Sequence, residues 1–146
     1  MSADLVWSLV KNNNAYLVKR PGVQFSSEPG NLTNLNTFKY SGLANNKTVG
    51  VVPAVSGKGI ELITKKQKLS AHNVNKRVNK ITIAKGSRRT ALSVANIVAR
   101  NGYRPDLRQA SIAALARVSA ILASQRPAKV HVKKTKGHRA TRAKRA

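Results

Sequence analysis

The stretch that decides the fold of this chain is PDLRQASIAALARVSAIL, residues 105–122. Pro105 and Asp106 suit the first turn of a helix, and the aliphatic residues after them recur at about 100° per residue. They form one stripe about 120° wide, made of Leu107, Ala114, Leu115, Val118, Ile121 and Leu122. Because Arg108 and Arg117 flank the stripe, the pattern predicts a long helix that buries its leucines and presents guanidinium groups at its margins.

A second helix is predicted just before this one. Its apolar residues recur at i, i+3, i+4 and i+7, as Ala91, Val94, Ala95 and Val98. Ser87 or Thr90 can cap its start, Arg100 falls in its final turn, and Gly102 supplies the stop. The sequence therefore predicts two consecutive helices late in the chain.

The first half of the chain has the pattern of short strands separated by turn residues. A short helix over 3–11, capped by Ser2, is predicted at the start, with a strand as the alternative, and Trp7 is assigned to the core. Strands are predicted at 16–20, 23–27, 37–40, 48–52, 60–66 and 80–84. We therefore expect a small antiparallel sheet with one covering helix.

Together these elements predict an α+β fold: a small antiparallel sheet with a short N-terminal helix and two longer late helices, plus a basic extended C-terminal tail. Residues 1–124 are expected to form a single body, with a sheet part at 1–84 and a helical part at 85–124. Within it, 65–80 lacks an apolar period and is predicted to be a surface loop. Residues 125–146 are the predicted tail.

Charge divides the chain sharply. The chain has 28 Lys and Arg but only 4 Asp and Glu. Of the 28 basic residues, 22 follow Ile63, and Asp106 is the single acid in that part of the sequence. A surface of one sign repels itself, so its compact state is favoured where an extended anion such as a nucleic acid backbone neutralises it. The residues predicted to contact nucleic acid, and RNA if the chain is ribosomal, are therefore these 22: Lys65, Lys66, Lys68, Lys76, Arg77, Lys80, Lys85, Arg88, Arg89, Arg100, Arg104, Arg108, Arg117, Arg126, Lys129, Lys133, Lys134, Lys136, Arg139, Arg142, Lys144 and Arg145.

Aromatic residues are too few for a base-stacking sheet, at 4% of the chain. Tyr40 and Tyr103 could each stack on an exposed base or lie buried with a satisfied hydroxyl. Phosphate contacts are therefore expected to dominate, with steep salt dependence and little sequence preference.

Catalytic and metal sites are not expected. The chain has no Cys, which excludes disulfides, thiolate zinc sites and thiol nucleophiles. The four acids are widely spaced, and no acid lies near His72, His131 or His138 to orient an imidazole. The run Gly57-Lys58-Gly59 lacks the spacing of a phosphate loop and is predicted to be a turn. We expect no enzyme, cofactor, metal, small-molecule substrate, secretory signal or membrane span.

The order of several motifs closely resembles the eukaryotic large-subunit ribosomal protein family numbered twenty-eight. The motifs that carry the resemblance are Asn31-Leu32, Thr37 to Leu43, Lys47 to Gly50, Tyr103 to Arg108 and Ser119 to Gln125. The resemblance implies an α+β structural protein of the cytoplasmic ribosome that binds large-subunit ribosomal RNA and has no cofactor. It also implies neighbouring ribosomal proteins as partners and passage through the nucleolus during assembly. A nucleolar ribosome-assembly factor family is similar at its N-terminal portion but typically continues into acidic stretches absent here.

Two hypotheses from other classes stand beside the ribosomal one. A chromatin or architectural DNA-binding protein would share the basic tail, since net charge does not separate DNA from RNA. An enzyme acting on RNA would need a clustered carboxylate or histidine site. Sedimentation with the large particle until ribonuclease digests its RNA would favour the ribosomal hypothesis over the chromatin one. A mutational scan of the four acids that left function intact would remove the enzyme hypothesis.

Overall fold

The structure is a computed structural model that describes residues 2–70, 72–124 and Pro127. The rest of the predicted tail lies outside the described residues. The helices and strands in chain order are α1 (Ala3–Val10), β1 (Leu17–Arg20), β2 (Val23–Ser26), β3 (Val49–Pro53), β4 (Ile60–Lys65), α2 (Val74–Arg77), β5 (Val78–Ile83), α3 (Ser87–Ala95) and α4 (Arg108–Ser124). A π-helical segment, Asn96–Arg100, continues α3, and a 3-10 turn, Pro105–Leu107, leads into α4. The α+β fold with its short first helix and late helices is confirmed. No helix within the described ranges is long and apolar enough to span a membrane.

The strands form two antiparallel sheets, whereas the sequence predicted one. β1 and β2 make a two-stranded ribbon, and β3, β4 and β5 make a three-stranded sheet with β4 at its centre. Val49 pairs with Thr64, and Ile60 pairs with Ile83, so alternate side chains of all three strands face the same side. That side is the apolar one, because Ile60, Leu62 and Val49 are fully buried there.

Helix α4 covers the apolar side of the three-stranded sheet and packs against α3. Four residues of the predicted stripe are buried, namely Leu107, Ala114, Leu115 and Val118. They share one core with Val94 of α3 and Val98 of the π-helical segment. Ile121 was predicted to be buried with them, but it is 47% exposed.

Residues 37–40 form a turn, and their prediction as a strand was wrong. The Ser41 N–H donates to the Thr37 carbonyl at 2.9 Å, and the Asn45 side-chain amide donates to the Phe38 carbonyl at 2.7 Å. These local bonds use the carbonyls that a sheet ladder would need.

The prediction of Ser87 or Thr90 as a helix cap was also wrong. Gly86 is the N-cap residue, and the Thr90 hydroxyl donates backward to the Lys85 and Gly86 carbonyls.

Helix α1 does not cover the sheet as predicted. Ser2 caps its start, with its hydroxyl accepting from the Leu5 N–H at 3.2 Å. None of its eight residues is buried, and the assignment of Trp7 to the core was therefore wrong. The Trp7 ring instead packs at the surface against Phe38, with 6.0 Å between ring centroids.

Candidate nucleic-acid interface

Thirteen of the 22 predicted RNA-binding residues lie in the described part of the chain. Arg126, Lys129, Lys133, Lys134, Lys136, Arg139, Arg142, Lys144 and Arg145 lie outside it. The described cations occur at three places: the connection between β4 and β5, the start of α3, and the approach to α4. At each place the fold determines which of them remain exposed.

The connection between β4 and β5 carries the first group. The Lys66 N–H donates to the Arg77 carbonyl at 2.8 Å, one pair beyond the end of the strand ladder. Lys66, Lys68 and Lys76 are exposed in the segment that this bond closes, and Lys80 is exposed on β5. Arg77 is half-buried, and its Nε is buried without a partner among the described residues. Four exposed ammonium groups therefore lie along this hairpin.

The start of α3 carries the second group, made of Lys85, Arg88 and Arg89, all exposed. The first turn of α3 has no acidic residue, and its N-cap makes no side-chain hydrogen bond. Unpaired N–H groups give a helix N-terminus partial positive charge, so cations there are unfavourable by about 0.3–1 kcal/mol each at low ionic strength. The arrangement costs stability in isolation and becomes favourable when an anion is bound.

A cleft of about 570 Å³ lies beside this second group, between the start of α3, the end of α4 and the turn that precedes β4. Lys58 and Lys85 both line it. Gly59 brings the turn close, because a Cβ there would lie 2.4 Å from the Ile83 carbonyl oxygen and its φ is +85°. Lys58 was not predicted as a binding residue. An isolated lysine between two glycines carries no signal, and only the strand register places it beside Lys85.

Two arginines near α4 are engaged within the fold. Arg104 Nη1 donates to the Lys47 carbonyl at 2.9 Å, and its Nη2 donates to the Lys39 carbonyl at 3.0 Å. Arg104 also forms the only salt bridge among the described residues, with Asp106 at 2.7 Å. That hydrogen bond holds the pKa of the Asp106 carboxyl below its usual value, although partial burial acts the other way. Arg117 Nη2 likewise donates to the Leu32 carbonyl.

Lys65 is engaged as well, in a network around Tyr103. The Lys65 ammonium donates to the Gly42 carbonyl, and burial lowers its pKa, with the Arg77 charge lowering it further and Glu28 opposing. The Tyr103 hydroxyl accepts from the Lys65 N–H at 3.0 Å and donates toward the carbonyls of Lys65 at 2.9 Å and Thr48 at 3.1 Å. Burial raises the pKa of Tyr103, although the hydrogen bonds to Lys65 and Thr48 and the charge of Arg104 act to lower it. Tyr103 therefore has a satisfied hydroxyl and ties β4 to the loop before β3.

The remaining arginines of the third group, Arg100 and Arg108, are exposed. Arg108 begins α4, whose first turn has no acidic residue. Tyr40 is partly buried against the core, with the Lys39 ammonium 5.5 Å from its ring centroid. Arg117 is exposed as well, but its guanidinium donates to a carbonyl, whereas those of Arg100 and Arg108 have no hydrogen bond to the described residues.

The carboxylates are not arranged as an acid and base pair. Glu28 is buried and accepts from the Asn31 amide at 3.2 Å and the Ser41 hydroxyl at 3.3 Å, while Asp106 is paired with Arg104. Within the described part of the chain, no group of three His, Cys, Asp or Glu could hold a metal ion. The chemistry that this surface offers is the binding of anions.

Known proteins similar to this chain share one description. The sequence model of the Ribosomal L28e protein family matches residues 5–124. The large ribosomal subunit protein eL28 of Schizosaccharomyces pombe is 46% identical over 133 residues, which cover 88% of this chain and 96% of that protein. The protein of the same name from Dictyostelium discoideum is 40% identical over 128 residues, covering 88% and 94%. That from Caenorhabditis elegans is 41% identical over 70 residues, covering 47% and 54%. The resemblance found in the motifs is confirmed.

Proposed function

The chain belongs to the Ribosomal L28e protein family, and from that membership we propose that it is a structural constituent of the cytoplasmic large ribosomal subunit. In this role it binds large-subunit ribosomal RNA through phosphate contacts and lies against neighbouring ribosomal proteins. It passes through the nucleolus during assembly. The role requires a rigid basic body and calls for no catalytic group, in keeping with a family of structural proteins.

The observation that carries the RNA proposal is the placement of exposed cations where they destabilise the free fold. Lys85, Arg88 and Arg89 crowd the N-terminal turn of α3 without an acid among them. Mutual repulsion and the helix dipole both oppose this arrangement until an anion binds. A phosphate backbone supplies negative charge at regular spacing, and it therefore turns this cost into binding free energy.

We assign the two classes of cation different tasks. The exposed residues whose side chains bond to no carbonyl of the described chain contact phosphates: Lys66, Lys68, Lys76, Lys80, Lys85, Arg88, Arg89, Arg100 and Arg108, with Lys58 added by its place in the cleft. Lys65, Arg104 and Arg117 hold loops by their carbonyls and so position the first class. The basic residues after Pro127 add contacts outside the body.

Particle association is the first test. The tagged protein should sediment with the large subunit in a gradient and leave that fraction when ribonuclease digests the RNA. A chromatin or architectural DNA-binding protein would never enter the fraction, and an RNA-acting enzyme would lose function when its acids are replaced. Either result would reject the ribosomal role.

Salt dependence is the second test, made with the purified chain and a large-subunit RNA fragment. The variant Arg88→Ala with Arg89→Ala should lower the slope of log affinity against log salt by about 1–2, because each lost phosphate contact removes close to one released counterion. The control variant, Lys19→Ala with Lys39→Ala, removes the same charge at two exposed sites that are distant in sequence from Arg88 and Arg89. Equal slopes for the two double variants would contradict the placement of the interface.

A further inference from the structure

The N-terminal unit of the fold, residues 2–43, leaves a large apolar surface uncovered. Thirteen large apolar side chains are exposed among the described residues, and eight belong to this unit: Leu5, Leu9, Tyr16, Val18, Val23, Phe25, Phe38 and Leu43. The other five are scattered, as Leu92 is on α3 and Ile121 on α4. Scattered apolar residues are ordinary on a protein surface, whereas a concentration of them marks an interaction site.

Helix α1 shows most clearly that apolar side chains of this unit are left exposed. Six of its eight residues are apolar, yet none is buried, and Leu9 is 65% exposed. Its polar residues, Asp4 and Ser8, are confined to one narrow stripe, and an apolar face as wide as the remainder is normally buried. The inner side of α1 meets Phe38 through Trp7, while Leu5 and Leu9, one turn apart, form an outer side that nothing in the described chain covers.

The β1 and β2 ribbon carries a second exposed apolar face in the same unit. Val18 pairs with Phe25, and Arg20 pairs with Val23, so the four side chains share one face of the ribbon. All four are exposed. The ribbon is tied to α1, because the Asn36 side-chain amide donates to the Lys11 carbonyl at 2.8 Å and to the Gln24 Oε1 at 3.0 Å. The outer side of α1 and this ribbon face thus belong to one structural unit.

The charges on this unit identify the chemistry of what covers it. Lys11 follows α1 and Arg20 lies on the ribbon face; of the unit's two acids, Glu28 is buried and only Asp4, in the first turn of α1, is exposed. An RNA backbone placed on aliphatic side chains would lose hydration of its phosphates without enough positive charge to compensate. A protein segment with apolar residues bordered by carboxylates would bury the apolar side chains and pair with the charges of Lys11 and Arg20.

We propose that the outer side of α1 and the Val18, Val23 and Phe25 face of the ribbon bind a protein partner through an apolar segment flanked by acidic residues. The proposal rests on the proposed ribosomal function, and this surface is separate from the basic residues assigned there to RNA. The chain then has two kinds of interface, with the N-terminal unit directed to protein and the later half directed to nucleic acid.

Site-specific crosslinking in assembled particles tests this proposal. A benzophenone amino acid replaces Leu9 in one variant and Val23, which is 44% exposed, in another, with Leu92, which is 63% exposed, as the matched control. Recovery of each variant in the particle shows that it folds and assembles. We expect positions 9 and 23 to give adducts that survive ribonuclease and contain the same partner peptide with Asp or Glu in it. Arg20→Glu should lower the yield at position 23 several-fold.

Three outcomes would overturn the proposal. Adducts at positions 9 and 23 that ribonuclease destroys would assign the surface to RNA. An adduct with twice the mass of the chain would assign it to a second copy. Yields no higher than at position 92 would leave the surface facing solvent. The failure of every variant to enter the particle would instead contradict the proposed ribosomal function.

Discussion

At the scale of single residues, we assign each cation one of two proposed roles according to its hydrogen-bond partners. Arg104 donates to two main-chain carbonyls and to the Asp106 carboxylate, so its charge is largely compensated within the chain. Arg88 is exposed in the first turn of α3 without an acidic neighbour there. A planar guanidinium suits both roles, since it can bridge carbonyl oxygens or phosphate oxygens.

Replacing each of these two arginines by methionine should separate the roles. Arg104→Met should lower the free energy of unfolding by about 1–3 kcal/mol, because the half-buried Lys47 carbonyl, the Lys39 carbonyl and the Asp106 carboxylate lose their donor, and should leave the salt slope of RNA binding unchanged. Arg88→Met should leave stability unchanged or slightly raised and should lower the slope by about 1. Urea denaturation and RNA titrations at several salt concentrations measure both quantities. The assignment fails if the two variants behave alike.

At the scale of elements, the buried stripe of α4 is narrower in the structure than the sequence predicted. Val118 lies at its centre, and Ile121 falls at its edge and stays 47% exposed. Ser111, which the apolar pattern omitted, is fully buried, because its hydroxyl donates to the Arg108 carbonyl at 2.8 Å within the same helix. Helix α4 therefore tolerates a polar residue on its buried side and exposes an apolar one.

A matched pair of substitutions on α4 tests this arrangement. Val118→Asp places a carboxylate in the core and should lower the free energy of unfolding by more than about 3 kcal/mol, enough to abolish cooperative unfolding. Ile121→Asp, three residues away, should change it by less than about 1 kcal/mol. Thermal denaturation followed by far-UV circular dichroism compares them. Similar losses in both variants would show that Ile121 is part of the core.

At the scale of the whole molecule, the protein separates its charge from its apolar surface. Among residues 2–63, 6 basic residues face 3 acids, and most of the exposed large apolar side chains lie there. Residues 64–124 contain 13 basic residues, and Asp106 is the only acid among them. A molecule divided in this way can bind two unlike partners at once without either competing for the other's surface.

Truncation after Pro127 should weaken RNA binding without unfolding the body. The change removes 8 of the 28 basic residues and none of the described core. We expect lower affinity for large-subunit RNA, a shallower salt dependence and an unchanged melting temperature within a few degrees. Sedimentation with the particle and RNA titration of the truncated chain measure the effect. An unchanged salt slope would mean that the removed residues do not contact phosphates.

The sequence by itself determined the family, the α+β class, the late helices and the basic character of the second half. These properties follow from local periodicity and composition, which a single chain displays directly. It also placed Tyr103 and Asp106 within a motif of the family, without indicating that Tyr103 joins β4 to the loop before β3.

Only the tertiary structure decided which cations hydrogen-bond to main-chain carbonyls, that the strands form two sheets, and that no residue of α1 is buried. The partners responsible are distant in sequence, since Arg104 reaches the Lys47 carbonyl 57 residues away and Arg117 reaches the Leu32 carbonyl 85 residues away. Lysine and arginine have the same sequence signature whether they bind a carbonyl or face solvent. Their roles therefore depend on long-range packing, which periodicity does not encode.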